Sequence, residues 1–333
     1  MRIGVDQYTL RHLDGVRGVA LLELVRAQGL DGFQFRDIHQ VSRDLDPGEI
    51  REAHAHARAH GLYLEVGLSC PNPHHPGPAA LRDGDGDLRA GLRRQLECVA
   101  VATVGSRAVR CFVAGAGARH LDLVPWTEQL AGTTAVARDL VPVLRDLDLK
   151  LAFENHADST TFELVRMVET LGSEVAGINL DIGNLAITLE DPLCAVRRVA
   201  ASTIAVHLKD GIVVFADNGL QFNPRPFGEG GLPIVDVLRA LPAAPNLAIS
   251  IEDHAGLYAI PIFDGSFLAT FEDLEPRELS AVVRFARRCE QRIAAGDILP
   301  PEVIERTPWA VRAGPRLAGA RDRLRAALVD LPG

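Results

Sequence analysis

The chain has 333 residues, of which 47% are hydrophobic and 24% are charged. This composition excludes an intrinsically disordered protein, because such proteins have too few apolar side chains to bury a core. A membrane-spanning helix needs about eighteen or more nearly uncharged residues in a row, and no window of the sequence supplies them. The 35 basic and 44 acidic residues give a net charge of −9, so we expect neither a nucleic-acid partner nor a membrane partner.

The cysteines and the N-terminus indicate a reducing compartment. The five cysteines are odd in number and have no Cys-x-x-Cys spacing; they are Cys70, Cys98, Cys111, Cys194 and Cys289. The N-terminal segment MRIGVDQYTL has no long apolar run that ends in small residues, as a secretion signal would. We therefore predict a cytoplasmic protein without disulfides.

Eight short apolar segments recur along the chain, and most are followed by a longer amphipathic segment. They are RIGVDQYT, DGFQFRDI, LYLEVGLS, SRAVRCFVAG, LKLAFENH, GINLDIGN, TIAVHLKD and LAISIEDH. Strands that alternate with helices are typical of a parallel sheet, and eight such units close into a barrel of about 250 residues. An open doubly wound sheet is disfavoured, since no GxGxxG turn follows the first strand. We predict an α/β protein with a (β/α)8 TIM barrel over residues 1–288.

Three further segments are interpreted by composition. Residues 70–90 and 210–232 are rich in Pro, Gly and Asp, and we predict loops at the carboxyl ends of the third and seventh strands. Residues 289–333 are rich in Arg and Ala and contain several prolines. We predict that they form a C-terminal extension of short helices that packs on the barrel or on a partner subunit.

Four consecutive predicted strands in the second half of the barrel end in side chains that bind divalent cations. These side chains are spaced by about one βα unit, so we expect them to meet at one point; they are Glu154, Asp181, His207 and Glu252. Three buried carboxylates would repel one another without a cation. Oxygen and nitrogen donors without a thiolate suit Mn²⁺ first, with Mg²⁺, Co²⁺ or Zn²⁺ as alternatives.

The same pocket is expected to contain groups that transfer protons or bind hydroxyls. Residues two apart on a strand share a face, which adds His156, Lys209 and His254 to the pocket. Asn184 follows Asp181 and can hydrogen-bond a substrate hydroxyl or a ligand. Either these side chains contact the substrate, or they orient the metal ligands. Near the ends of the early strands, Asp6, Tyr8 and Glu65 are consistent with the pocket or with the core.

A histidine cluster in the second predicted helix has a different interpretation. His54, His56 and His60 lie in the segment REAHAHARAH, where only His56 and His60 share one face of a helix. We interpret the cluster as a solvated helix surface.

The run 150–254 carries a family resemblance. Its elements FENH, NLDIGN, VHLKD, FGEG and IED resemble the sugar phosphate isomerase/epimerase family, the xylose isomerase-like (β/α)8 barrels. The resemblance covers most of the barrel and implies that the four side chains at the strand ends are metal ligands. It further implies that Glu154 and Glu252 exchange a proton on opposite faces of the carbon next to a carbonyl. Arg225, just before FGEG, stands where many members have a substrate-contacting arginine.

A narrower similarity lies in the same region. The stretch ENHADSTTFELVRMVETLG, with NLDIGN and the later EDP, is similar to the large subunit of bacterial C-glycoside deglycosidases. This similarity implies cleavage of a 3-keto sugar from its aglycone by elimination, with a small β-rich partner subunit and with His156 as acid or base. The metal ligands are common to both branches, so the sequence leaves both open.

Both branches use the same first chemical step. A cation that holds the carbonyl and a neighbouring hydroxyl of a keto-sugar lowers the energy of the enediolate formed when a base removes the α-proton. Glu154, Glu252 and His156 are the candidate bases. Proton return gives an epimer or an isomer, and loss of a β-substituent gives elimination. We predict a divalent-metal-dependent sugar or keto-sugar isomerase/epimerase, with a lyase on a 3-keto-glycoside as the alternative.

Other classes of protein fit less well. Endonuclease IV-like repair enzymes share the barrel, but they need further histidines and a basic DNA-binding face, which a net charge of −9 disfavours. A non-catalytic sugar-binding barrel need not keep all four ligands. Residues 70–90 contain only Arg82 and Arg89 as cations, which favours an unphosphorylated ligand. We expect a small sugar or glycoside as substrate and a homo-oligomer as the assembly.

Overall fold

Eight parallel strands form the centre of the molecule. The computed structural model describes residues 1–13, 15–115, 117–121, 123–241 and 247–329. The strands in these ranges are β1 (Arg2–Asp6), β2 (Gly32–Phe35), β3 (Tyr63–Val66), β4 (Ala108–Cys111), β5 (Lys150–Glu154), β6 (Ala176–Asp181), β7 (Thr203–Leu208), β8 (Asp210–Ala216), β9 (Gly219–Arg225), β10 (Ala248–Ile251) and β11 (Tyr258–Ile260). Eight of them pair in the order β3-β2-β1-β10-β7-β6-β5-β4, and each of the eight segments predicted from sequence contains one.

The barrel is nearly closed between β3 and β4, the two ends of the strand order. The Leu68 amide donates to the Arg110 carbonyl over 2.8 Å, and Leu64 and Val104 exchange two backbone hydrogen bonds of 2.9 and 3.0 Å. The seven other neighbouring strand pairs are all parallel. The predicted (β/α)8 TIM barrel is therefore confirmed, with its closing edge held by few bonds.

Helices surround the barrel. They are α1 (Gly18–Ala27), α2 (Pro47–Ala59), α3 (Pro78–Asp83), α4 (Leu88–Ala102), α5 (Ala118–Leu121), α6 (Trp126–Asp146), α7 (Thr161–Leu171), α8 (Asn184–Ile187), α9 (Pro192–Val199), α10 (Ile234–Ala240), α11 (Gly265–Ala269), α12 (Pro276–Ala294), α13 (Pro301–Ile304) and α14 (Trp309–Val329). Short 3-10 helices span Gln7–Leu13, Ile38–Gln40 and Ala200–Ser202. Within the described ranges, no helix is both long enough and apolar enough to cross a membrane.

Helix starts follow local sequence signals. At α2, the Asp46 side chain accepts hydrogen bonds from the amides of Gly48 and Glu49, and a proline occupies the first turn. At α7, Thr160 and Glu163 form a reciprocal capping box. These caps bind amides that the first helical turn leaves unpaired, so they fix where each helix begins.

The interior of the barrel is polar, whereas the outer faces of its strands supply the main apolar core. Near its base, the Tyr63 hydroxyl meets the Ser250 hydroxyl at 2.9 Å across the barrel. The Tyr63 ring fits because β1 and β2 carry Gly4 and Gly32 there; a Cβ at either glycine would lie 2.1–2.2 Å from Tyr63. Above this level the inward side chains become increasingly charged toward the carboxyl ends of the strands.

The predicted loop 210–232 is largely a β-hairpin, and that prediction is wrong. Strands β8 and β9 pair antiparallel, and β11 adds to β9 to form a separate three-stranded sheet. Alternating apolar residues surround a tight turn that ends at Gly219, whose φ of +138° suits glycine. In the segment 70–90, α3 and the start of α4 interrupt the predicted loop.

The C-terminal region packs on the barrel through a long helix. The prediction of short helices is wrong for α14, which has 21 residues and contains Pro315. Trp309 Nε1 donates to the Thr9 carbonyl over 3.1 Å, and Arg316 forms a double hydrogen bond of 2.6 and 2.7 Å with Asp253. Residue 289, the predicted start of the extension, lies inside α12 rather than between elements.

Candidate active site

Four side chains that could hold a metal ion meet at the carboxyl ends of four strands. Glu154 and Asp181 are the last residues of β5 and β6, His207 lies near the end of β7, and Glu252 directly follows β10. All four are buried, and one ligand atom of each lies within 4.8 Å of the others. Asp181 and His207 are register partners on adjacent strands, which fixes their separation. The structure brings together the group that the sequence predicted.

Two ligand atoms of this group have no hydrogen-bond partner. His207 Nδ1 lies 2.7 Å from Glu252 Oε2 and 3.4 Å from Glu154 Oε1, but neither contact has hydrogen-bond geometry. Among the described residues, Glu154 Oε1 and His207 Nδ1 therefore stay buried without a donor or acceptor. A buried polar atom without a partner is costly. Lone pairs that converge in this way fit a cation.

The charge of the site also fits a divalent cation. Lys209 Nζ lies 2.6 Å from both Asp181 Oδ2 and Glu252 Oε1, and Arg110 Nε donates to Glu154 Oε2. Asp6 adds a further carboxylate, 3.9 Å from the imidazole of His207. Ionised together, these groups comprise four carboxylates and two fixed cations. A divalent cation would balance that charge with a neutral His207.

The pKa values reflect this crowding of carboxylates. Burial raises the pKa of Asp181 to about 6, and the charges of Glu252 and Glu154 add to the shift, while Lys209 opposes it. Burial also acts against ionisation of Glu154, but Arg110 and His207 outweigh it and hold its pKa well below the usual range. Lys209 and His207 do the same for the pKa of Glu252. Both glutamates are therefore carboxylates at neutral pH and can act as bases.

The backbone around Asp181 is fixed by a side chain of the neighbouring strand. Asn155 donates its amide to the Asp181 carbonyl and accepts the Asp181 amide, each over 2.8 Å. The carboxylate itself accepts from the amides of Gly183 and Asn184, and from Asn184 Nδ2 over 2.7 Å. Asn184 thus orients a candidate ligand. It also lines the cavity, and its contact with a substrate stays a prediction.

A cavity of about 320 Å³ adjoins the four-residue group, and Glu252 is the member of the group that lines it. Its wall includes His156, Asn184, Lys209 and His254, the four predicted neighbours of the ligands that the structure brings together here. The wall also contains Asp6, Tyr8, Arg36, Arg110, Phe112, Ala157, Glu252 and Tyr258. The volume and the mixed polar and aromatic wall are typical of a small-molecule site.

The two cavity histidines are held by aromatic rings. The ring of His156 stacks on Phe112 with centroids 4.5 Å apart and planes 25° apart. His254 has Tyr8 and Tyr258 edge-on at 4.9 and 5.5 Å, and its Nε2 lies 3.6 Å from Glu252 Oε1. Burial lowers the pKa of His254, which favours the neutral imidazole. His156 Nδ1 is buried and has no hydrogen-bond partner among the described residues.

Arg225 lies apart from the cavity. It ends β9, outside the barrel wall, and its Nη2 donates to the Leu299 carbonyl over 2.9 Å. Burial and the nearby Arg316 lower its pKa to about 10. The resemblance predicted a substrate-contacting arginine here, but the hairpin turns this side chain toward the C-terminal region instead. The geometry therefore gives no support to that role for Arg225.

Two cavity residues were not predicted from the sequence: Arg110 on β4 and Phe112 directly after it. Arg110 lies two residues after Ala108 on the inward face of an otherwise apolar strand, and a charge at such a position was a usable signal. Phe112 directly follows β4, and neither its spacing nor its type distinguished it from a core residue. Asp6 and Tyr8, which the sequence left between pocket and core, both line the cavity.

A second cleft, of about 570 Å³, adjoins the first beside Phe112 and Arg36. Its walls come from the segment after β3 and from the end of β4, and include Leu68, Ser69, Cys70, Pro76, Pro78, Ala79, Ala114 and Gly115. Both arginines at its rim already face aspartates: Arg36 Nε lies 3.4 Å from Asp37, and Arg82 Nη2 lies 3.3 Å from Asp83. The wall of the cleft is therefore mixed, because Asp37, His75 and the two paired arginines lie beside its apolar side chains.

A third grouping lies on the outer surface between α1 and α2. Ligand atoms of Glu23, His56 and His60 also lie within 4.8 Å of one another, and His56 Nε2 is 3.1 Å from Glu23 Oε1. His60 is exposed and the other two are partly exposed. The interpretation as a solvated helix face omitted Glu23, which α1 supplies. This surface group must be controlled for in any count of bound metal.

Comparison with known proteins identifies the family of the barrel. The sequence profile of the xylose isomerase-like TIM barrel family matches residues 22–281. The uncharacterized protein YihM of Escherichia coli strain K12 is 28% identical over 109 residues, which are 32% of this chain and 33% of that protein. The chain thus matches about a third of the length of this curated relative.

Solved structures with the same fold include sugar epimerases. The D-psicose 3-epimerase of Clostridium cellulolyticum H10, solved with D-tagatose, has a TM-score of 0.56 and 17% identity, over 87% of this chain and 99% of that one. L-ribulose 3-epimerase has a TM-score of 0.56 and 18% identity, over 99% and 98%. IOLI protein, solved with a zinc atom, has a TM-score of 0.56 and 13% identity, over 90% and 100%. At these identities the likeness shows the fold.

Proposed function

Because the chain belongs to the xylose isomerase-like TIM barrel family, we propose that it is a divalent-metal-dependent isomerase or epimerase of sugars or keto-sugars. The observation that carries the proposal is the buried meeting of three carboxylates and one imidazole next to an open cavity, which Glu252 of this group lines. The epimerases among the structures with this fold support the choice of a sugar as substrate.

The four ligands would hold the cation, with Mn²⁺ as the first candidate; they are Glu154, Asp181, His207 and Glu252. When bound, a divalent cation polarises a carbonyl and a neighbouring hydroxyl oxygen, and so stabilises the negative charge that develops as the adjacent carbon loses its proton. The unpartnered atoms and the surplus of two negative charges described above support this fit.

The two glutamates are the proposed bases. Arg110 holds one oxygen of Glu154, and Lys209 holds one oxygen of Glu252, which leaves Glu154 Oε1 and Glu252 Oε2 directed at the centre of the site. Their lowered pKa values keep both groups ionised at neutral pH, which is the form that accepts a proton. An epimerase removes a proton with one base and returns a proton to the opposite face, which needs two such groups.

The histidines and amides of the wall would bind the sugar and move protons on its oxygens. His156 Nδ1 is unpartnered among the described residues and its ring is held against Phe112, so it can donate to or accept from a sugar oxygen. Burial lowers the pKa of His254, so this imidazole is neutral and can accept a hydroxyl proton. Asn184 and Lys209 are polar donors that also line the cavity. General acid–base help of this kind typically contributes about 10²–10⁴ in rate.

The test is turnover of a panel of ketoses and keto-sugars with added Mn²⁺. Glu154→Gln and Asp181→Asn should each lower kcat/KM by at least about a hundredfold, because both remove a ligand charge and the first removes a base. Glu23→Gln is the matched control, since it removes a carboxylate from the surface group and should leave turnover unchanged. If both site variants turn over every accepted sugar at the wild-type rate, the site assignment is wrong.

A lyase acting on a 3-keto-glycoside is the second candidate. The observation that favours it is the second cleft, of about 570 Å³, beside Phe112, which would hold an aglycone next to a sugar in the first cavity. In this reaction a glutamate removes the proton from the carbon that lies between the carbonyl carbon and the glycosidic carbon. The aglycone leaves with the bonding electrons and takes a proton from His156, and the sugar becomes an unsaturated ketone.

One variant separates the two candidates. Gly115 lines the second cleft, and a Cβ there has open space around it, so Gly115→Trp would place an indole at this cleft. Gly265→Trp, at a second glycine with open space, is the control. For a lyase, assayed with a small β-rich partner chain supplied by co-expression, Gly115→Trp should abolish release of aglycone. For an isomerase or epimerase of free sugars, both variants should keep wild-type turnover.

A further inference from the structure

A chain of hydrogen bonds crosses the barrel behind the candidate metal ligands. Ser106 Oγ donates to Glu65 Oε1 over 2.6 Å, Gln34 Nε2 donates to Glu65 Oε2 over 2.8 Å, and His207 Nε2 meets Gln34 Oε1 at 2.6 Å. Gln34 and Glu65 are register partners on β2 and β3, and both are buried. The chain therefore links β7 to the opposite wall of the barrel.

The order of donors and acceptors in this chain follows from the ionised form of Glu65. Burial raises the pKa of Glu65, and the hydrogen bonds from Ser106 and Gln34 oppose that shift. As a carboxylate, Glu65 only accepts hydrogen bonds, and it receives one from each of these two side chains. Gln34 must therefore turn its amino group to Glu65 and its carbonyl oxygen to His207. A flipped amide would place two acceptors against each other at Glu65. His207 Nε2 must in turn carry a hydrogen, because a carbonyl oxygen faces it.

This order determines which nitrogen of His207 can bind a cation. With the hydrogen on Nε2, the neutral imidazole has its lone pair on Nδ1. Nδ1 is the atom that lies 2.7 Å from Glu252 Oε2 and 3.4 Å from Glu154 Oε1, at the centre of the ligand group. A ligand histidine is usually oriented by a partner on its other nitrogen.

We infer that Gln34 and Glu65 are positioning residues that hold His207 in the tautomer whose Nδ1 binds the metal. Glu65 acts through Gln34, and Ser106 keeps the Glu65 carboxylate turned toward Gln34. The inference rests on the proposed metal site. It assigns a role to two buried polar residues that the proposed chemistry does not itself use.

The competing explanation is that the chain only satisfies buried polar groups. The same fold contains a suitable comparison for this, since Asn72 Nδ2 donates to Gln129 Oε1 over 3.0 Å and both side chains are fully buried. Gln129→Leu breaks that pair without touching the site. It therefore measures the cost in stability of losing a buried amide, and metal affinity should not change with it.

The variants are chosen to change hydrogen-bond direction rather than shape. Glu65→Gln keeps the size of the side chain but adds a donor, so Gln34 can flip and present its amino group to His207. Gln34→Leu removes the partner of Nε2 altogether. The exchange Gln34→Glu with Glu65→Gln restores the order, because the carboxylate, now on β2, would accept both from the amide on β3 and from His207 Nε2.

The measurement is calorimetric titration of metal-free protein with Co²⁺, in a His60→Ala background that removes the surface group. Loss of the outer partner of a ligand typically weakens metal binding by about 10–100-fold, so we expect this loss in Glu65→Gln and Gln34→Leu. The exchanged double variant should regain wild-type affinity, and Gln129→Leu should keep it despite a lower melting temperature.

A spectrum of the histidine side chains checks the tautomer directly. In ¹⁵N NMR of the Zn²⁺-loaded protein, we expect the His207 proton on Nε2. A proton on Nδ1 would overturn the inference, as would equal Co²⁺ affinity for wild type, Glu65→Gln and Gln34→Leu. Failure of the wild type itself to bind Co²⁺ in this background would instead refute the metal site of the proposed function.

Discussion

Substitution of Arg110 by methionine probes the charge balance of the site. Arg110 is buried in β4, and its guanidinium donates to Glu154 Oε2 and lies 5.0 Å from the centre of the Phe112 ring. Methionine has a similar length and no charge. In Arg110→Met, the four carboxylates of the site would face only one fixed cation, Lys209.

The expected size of the effect follows from the contact. Two unit charges about 4 Å apart at an effective dielectric constant of about 20 attract by about 4 kcal/mol. Removal of one partner of a buried ion pair typically costs about 3–5 kcal/mol, and we expect that loss in the metal-free variant. The site also becomes more negative by one charge, so a divalent cation should bind at least about tenfold more tightly, or about 1.4 kcal/mol.

The assay is thermal unfolding with and without saturating Mn²⁺. Arg119→Met is the matched control, because Arg119 forms a buried ion pair with Glu163 on α7, away from the site. Both variants should melt lower than wild type without metal. The gain in melting temperature on adding Mn²⁺ should be larger for Arg110→Met than for Arg119→Met or wild type. Equal gains in all three proteins would refute the charge-balance argument.

Three further predictions concern stability and the cavity. Burial raises the pKa of Glu190 to about 7, so the native state binds this proton more tightly than the unfolded chain does. Stability should therefore fall as the pH rises from 4.5 to 7. The melting temperature of Glu190→Gln should fall less than that of the wild type over this pH range. In Gly91→Ala, the new Cβ would lie 1.8 Å from the Ala80 carbonyl oxygen, so the free energy of unfolding by urea should fall by about 1–3 kcal/mol. Phe112→Ala removes the ring that holds His156, and kcat should fall about 10- to 100-fold while circular dichroism stays that of the wild type. A melting temperature that does not depend on pH would contradict the first prediction. An unchanged unfolding midpoint would contradict the second, and an unchanged kcat the third.

The barrel and its ligand group were readable from sequence because both depend on local patterns. Each strand is a short apolar run, and its carboxyl end is marked by the polar residue that follows. In a parallel barrel all such ends meet on one face, so Glu154, Asp181, His207 and Glu252 could be brought together without knowledge of any distance. The side chains two positions away followed from strand periodicity.

The remaining features depend on which side chains meet between strands, or on a local pattern that composition outweighed. The Arg110–Glu154 pair joins adjacent strands, and Gln34 meets His207 from the opposite wall. The residues of the hairpin were assigned to a loop because their Gly, Pro and Asp content outweighed the alternation of β8 and β9. The same assignment put Arg225 on a loop that could return to the pocket, whereas it ends β9 and contacts the Leu299 carbonyl.

The most direct test of the proposed function is proton transfer at the carbon next to the carbonyl of a sugar. Ketoses and keto-sugars are incubated in D₂O with the Mn²⁺-loaded protein, metal is removed by a chelator, and ¹H NMR records both the products and the loss of the C–H signal. We expect a new isomer, or deuterium at that carbon, only with metal and not with Glu154→Gln or Asp181→Asn. Neither change in any sugar, or the same change in both variants, would contradict the proposed function.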